Sequence, residues 1–126
     1  MEQEQTTVRH VRWVGNSKER LQEFPAQVRK DVGHALYLAQ TGQMSPLAKP
    51  MKGIAPGVFE IVADHDTNTY RAVYAAKVGR SIYVLHTFMK KSKRGIATPK
   101  RDVDLIKRRL RRARELEREM GNERRY

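Results

Sequence analysis

Between Gly57 and Phe88, three runs rich in β-branched and aromatic residues (GVFEIVA, YRAVYAAKV and SIYVLHTF) are separated only by the polar stretch DHDTNT and by Gly79-Arg80. Links this short cannot carry the crossover that a parallel neighbour needs, which takes a dozen or more residues. The spacing therefore predicts an antiparallel meander with strands at 57–63, 70–78 and 81–88. The rest of the chain has to pack against that sheet.

Upstream, VRHVRWV at 8–14 has strand composition and ends at Gly15-Asn16, a turn signal. Ser17 suits the cap of a helix beginning at Lys18, and Pro25 suits the start of a second one. Val28, Val32, Ala35, Leu36 and Ala39 recur at helical spacing and Gly42 is a natural stop, which predicts a helix over 26–40. Residues 44–57 hold three of the five prolines, a loop composition with short extended pieces. Thr98 and Pro99 open a long basic helix, 99 to about 120, with an apolar stripe of Val103, Ile106, Leu110, Ala113 and Met120. The order is β-α-α-β-β-β-α, an α+β class.

The length of 126 residues fits a single domain. No cysteine is present, and His10, His34, His65 and His86 show no ligand spacing, so neither disulfides nor a metal site is expected. No apolar run approaches the roughly 18 residues of a membrane span. MEQEQTT at the N-terminus is polar and acidic, unlike a secretory signal, so a cytoplasmic location is expected. The chain carries a net charge of +12, and from Lys90 to Arg114 twelve Lys or Arg stand against only Asp102 and Asp104. Charge focused in this way points to a polyanionic partner: nucleic acid, the ribosome or an acidic protein.

KPMKG at 49–53, a strand carrying Glu60, YRAVY at 70–74 and IYVLHTFMKKSKRGIATPKRD at 82–102 together resemble the HigB-like, phage-associated branch of the RelE/ParE toxin superfamily. The similarity covers about 8–113, leaving extensions at 1–7 and about 114–126. It implies a RelE-like fold with an N-terminal strand, a helical hairpin, an antiparallel sheet of three to four strands and a basic C-terminal helix. It also implies the toxin of a type II toxin-antitoxin system, an endoribonuclease that cleaves messenger RNA on the ribosome without metal or other cofactor. The implied partner is a cognate antitoxin of the helix-turn-helix kind.

Metal-free RNA cleavage deprotonates the 2′-hydroxyl, stabilises charge on the phosphate and protonates the leaving 5′-oxygen. Arg71 lies inside a strand, where a charged side chain must face solvent or an anion, and the resemblance places it with the family's phosphate-binding arginine. Lys90 and Lys91 match the basic pair at the strand end that contacts the scissile region, Lys91 first. The best-known family pattern has two lysines where this chain has Glu60 and Val62. With a turn centred near Asp66 and Thr67, Val62 falls opposite Arg71 and Glu60 lies diagonal to it on the same face. Glu60 is then either a general base or an ion-pair partner of Arg71.

His86 would suit proton transfer at neutral pH, yet simple alternation puts Ile82, Val84, His86 and Phe88 on one face, the pattern of a core histidine. Lys49, Lys52, Lys93, Arg94, Lys100 and Arg101 are expected to grip RNA or ribosome backbone. Tyr70, Tyr74, Tyr83 and Trp13 read as sheet packing, and His65 as an exposed turn residue. Two other functions fit the same residues: a ParE-like toxin that binds gyrase, and a non-catalytic nucleic-acid-binding relic in which Val62 marks lost chemistry.

Overall fold

The computed structural model describes residues 8–91 and 97–123. Strand β1 spans Val11–Trp13, helix α1 Ser17–Gln22, α2 Ala26–Gln40, β2 Ala48–Pro50, β3 Val58–His65, β4 Asn68–Val78, β5 Ser81–Lys90 and α3 Lys100–Glu123. The five strands form one sheet in the order β1-β5-β4-β3-β2. The expected α+β architecture and meander are present, with two differences. The proline-rich stretch supplies an additional short strand, β2, antiparallel to β3. The N-terminal strand lies parallel to β5 at the opposite edge.

The β3–β4 hairpin turns on Asp66 and Thr67, with φ of 46° and 66°. Two consecutive left-handed residues make the mirror-image turn whose twist matches a two-residue hairpin. Such a turn fixes the register, so Val62 pairs with Arg71 and Glu60 with Val73, as the sequence predicts. In α1 the cap is Asn16, not Ser17. Ser17 instead begins the helix fully buried, and its hydroxyl donates to the Val84 carbonyl at 3.1 Å, tying α1 to β5. Gly42, at φ 81°, follows the end of α2 in the left-handed conformation.

The sheet is covered on both faces. On one side Val28, Val32, Ala35, Leu36 and Ala39 of α2 pack with Ile61, Ala72, Tyr74, Ile82 and Val84. On the other, Ile106, Leu110 and Ala113 of α3 pack with Val73, Tyr83, Leu85 and Phe88. Burial from both sides explains why β4 and β5 read as nearly unbroken apolar runs. Tyr70, Tyr74 and Tyr83 are buried in these layers, and Trp13 packs partly buried against the α2 side. Among the described residues no helix is long and apolar enough to cross a membrane.

One irregularity overturns the expected alternation in β5. Val73 pairs with His86 while Tyr74 pairs with Val84, so Leu85 is an extra residue in the ladder. A bulge of this kind shifts the parity of every residue beyond it. Ile82 and Val84 face α2, whereas Leu85, His86 and Phe88 turn toward α3. Arg109 of α3 donates to the Leu85 carbonyl at 2.9 Å and to Asn16 Oδ1 at 2.8 Å. Its guanidinium passes over Gly15, at φ 59°, where an added Cβ would meet it at 2.7 Å.

Thr67 is β-branched and exposed in a left-handed position, a conformation that costs a non-glycine residue roughly 1–2 kcal/mol. Thr67→Gly is expected to stabilise the protein by about 1 kcal/mol. Urea denaturation should show a higher midpoint at unchanged slope.

Candidate active site

Strand pairing sets out the polar groups on the α3 side in two rows. Lys49 of β2 stands beside Glu60 of β3, which is paired with Val73 of β4, itself paired with His86 of β5. In the adjacent row Val62, Arg71 and Phe88 lie side by side. The start of α3 crosses above both rows, and the side chains converge beneath it.

Arg71 is only 7% exposed, so it is not an ordinary solvent-facing strand residue. Its Nη1 donates to Glu60 Oε2 at 3.3 Å, and Lys49 Nζ lies 3.4 Å from Glu60 Oε1. The cross-strand ion pair expected from the hairpin register is therefore formed, with Glu60 held between two cations. Arg71 Nε is buried and has no hydrogen-bond partner among the described residues. A buried donor left unmatched costs about 1–3 kcal/mol, which a bound acceptor would recover. The groups form the floor of a cleft of about 540 Å³ walled by Lys49, Lys52, Thr98 and Val103. Three cations against one carboxylate leave this cleft positive.

After the Leu85 bulge, residues 86, 88 and 90 share the α3-facing side, which brings Lys90 toward Arg71 and leaves Lys91 exposed beyond the end of β5. Lys90 Nζ donates to the Ala97 carbonyl at 2.7 Å. Burial, and then the nearby Arg71 charge, hold its ammonium below the usual lysine value. Lys52 lies exposed on the cleft wall. Lys100 is exposed and pairs with Asp104 at 2.9 Å, and Arg101 is exposed in the first turn of α3. Lys93 and Arg94 lie outside the described residues.

His86 is 5% exposed, its ring stacked on Phe88 with centroids 4.7 Å apart. Its Nε2 is 2.8 Å from Asp102 Oδ1, and its buried Nδ1 has no partner among the described residues. Burial pulls the imidazole below the ordinary histidine value, outweighing Asp102, which acts in the opposite direction. His86 is thus a buried ring oriented by a carboxylate, with burial disfavouring its protonation. Sequence reasoning missed Asp102, although it is the only acid in the first turn of α3. His65 is half-buried at the hairpin, 3.4 Å from Asp66 and edge-on to Tyr70, away from the cleft. Among the described residues no three His, Asp or Glu side chains converge as a metal site.

Fold and charge together define a small, strongly basic α+β protein with an open cationic cleft under its last helix. Residues 19–111 match the family model described as Phage derived protein Gp49-like (DUF891), and the chain belongs to that family, which is related to toxin-antitoxin systems. No curated protein matches the chain.

Breaking a buried ion pair from one side is expected to cost more than removing both partners. Arg71→Met leaves Glu60 with only the half-exposed Lys49 and should destabilise the fold by about 3 kcal/mol, most of which Glu60→Leu in the same chain should restore. Urea denaturation of the two single variants and the double variant measures this coupling.

The His86 imidazole should titrate by NMR below the ordinary value of 6.5. Asp102→Asn should lower it further, because the carboxylate is the group that raises it. The sign for stability follows from linkage: with the folded value depressed, the unfolded chain binds the proton more readily. The His86 contribution is complete above pH 6.5 and is lost as pH falls through that value toward the folded one.

Proposed function

We propose that this protein is the toxin of a toxin-antitoxin pair and that it cleaves single-stranded messenger RNA at a phosphate held by Arg71. The observation that carries this reading is the buried Arg71, its Nε unmatched, on the floor of an open cationic cleft beside Glu60. A phosphate oxygen is the acceptor such a donor lacks, and guanidinium matches its geometry. The family's link to toxin-antitoxin systems and the resemblance to HigB-like toxins point the same way.

The chemistry follows from the placement of the groups. Glu60 takes the proton of the 2′-hydroxyl, and the oxygen attacks the adjacent phosphorus. Arg71, with Lys49 and Lys52, stabilises the charge that grows on the phosphoryl oxygens. As the bond from phosphorus to the 5′-oxygen breaks, Lys90 gives its proton to the leaving oxygen. Its lowered pKa makes that transfer easier than from an ordinary lysine. The products are a 2′,3′-cyclic phosphate and a 5′-hydroxyl end. His86, fixed by Asp102 and stacked on Phe88, supports the strand that presents Lys90. Lys91, Lys100 and Arg101, exposed at the end of β5 and the start of α3, serve as backbone contacts to messenger or ribosome. The partner that restrains the toxin is a cognate antitoxin of the helix-turn-helix kind.

Arg71→Lys keeps a cation opposite Glu60 and so preserves folding, but loses the fork of donors; cleavage should fall about 10²–10³-fold. Lys90→Met removes the acid and should cost about 10²–10⁴-fold. Primer extension on messages after brief induction tests both, with new 5′-hydroxyl ends in coding regions expected for wild type and absent from either variant. Growth arrest with intact messages would instead indicate a gyrase-type toxin, and neither effect a nucleic-acid-binding relic.

A further inference from the structure

A second cleft, of about 360 Å³, opens on the other side of the first turn of α3. Arg20 of α1, His86, Phe88, Met89 and Lys90 of β5, and Arg101 and Leu105 of α3 line it. It exists because β1 is short. Pairing of β1 with β5 ends at Trp13 and Val84, and α1 takes over that flank, held by the Thr87 hydroxyl donating to the Ser17 carbonyl at 2.7 Å. Phe88, on the floor of this cleft, is the direct cross-strand partner of Arg71 in the first one. Thr98 lines one cleft and Pro99 the other, so the start of α3 is the partition between them.

The walls divide by chemistry. Arg20 is half-exposed, and its one acidic contact among the described residues is Glu23, at 3.8 Å and 73% exposed, a loose surface pair of little energetic weight. Arg101 is exposed and has no acidic partner among the described residues. Asp102, the only acid lining the cleft among the described residues, is engaged by His86. Beside the cations, Phe88, Leu105 and the 39% exposed Met89 contribute apolar lining. His86, whose Nδ1 is buried and unmatched among the described residues, also lines the cleft. Cations on the rim, an apolar wall and one buried polar atom are the complement of a single nucleotide, with its phosphate outside and its base within.

We propose that this cleft is a flanking-nucleotide subsite: Arg20 and Arg101 grip the phosphate next to the one on Arg71, and Phe88, Met89 and Leu105 receive the base. The inference rests on Arg71 as the phosphate-binding residue. It makes the ligand a single strand of at least three nucleotides, because a base held in a duplex cannot be splayed into a pocket.

Fluorescence anisotropy with non-cleavable 2′-O-methyl probes tests it, comparing UpU, which has one phosphate, with UpUpU, which has two. The second phosphate should tighten wild-type binding about tenfold, the equivalent of a charge-assisted contact. Arg20→Ala, at an exposed position, should lose most of that gain while binding UpU as wild type does, and Arg101→Ala should lose most of it as well. A gain that survives in both variants, or no gain in wild type, overturns the subsite. UpU binding left unchanged by Arg71→Lys sinks the Arg71 reading instead, and the second cleft is then judged by the Arg20 and Arg101 result alone.

Discussion

The extra residue at Leu85 decides which side of the sheet holds the chemistry. Without it, strict alternation from Ile82 and Val84 would send His86, Phe88 and Lys90 into the α2 layer, among Tyr70, Tyr74 and Val28. With it, the same residues face α3 and stand beside Arg71 and Glu60. A bulge interrupts the ladder and has to be supported locally. Arg109 supplies that support through the Leu85 carbonyl, and Asn16 fixes the guanidinium in turn. The N-terminal turn, the central strand and the last helix are thereby locked around one irregular residue.

This dependence also explains which parts of the molecule were legible in the sequence. Helix α2 and the meander could be read because periodicity and short links are local signals, and the Asp66-Thr67 turn carried the register far enough to pair Glu60 with Arg71. The bulge could not be read, since Leu85 sits in a run that is buried on both faces and alternation leaves no mark there. Strand β2 was legible only as a short extended piece of a proline-rich loop. Pro50 is tolerated because β2 is the sheet edge, where a missing donor faces no neighbour. Asp102 and Arg20 were illegible for another reason: each reaches His86 or its cleft from an element distant in sequence, and only the packing of α3 and α1 on β5 brings them together.

Charge acts on two scales in this fold. The exposed Lys107, Arg111 and Arg114 of α3 set up a long-range field that attracts a polyanion but selects no atom of it. Beneath the helix the balance is tighter, because Glu60 already occupies Arg71 and Lys49. An incoming phosphate must compete with a carboxylate for the guanidinium, which favours a dense, well-placed negative charge over a diffuse one. Ordinary surface anions are thus poor ligands for a site whose cation is satisfied on one edge.

On the proposed reading, that competition is also what arms the base. Once a phosphate takes the Arg71 donors, Glu60 loses part of its share of that cation and keeps Lys49, a more solvated partner at 3.4 Å. The Glu60 oxygen that Arg71 releases is then open to accept a hydrogen bond from the 2′-hydroxyl. The resting ion pair then does two things with one contact: it keeps a buried guanidinium from standing uncompensated, and it holds the base inactive until the phosphate arrives. Val62, in the place of a lysine of the better-known pattern, fits this arrangement. A second cation there would stay beside Glu60 after the phosphate had drawn Arg71 away, and would blunt the change.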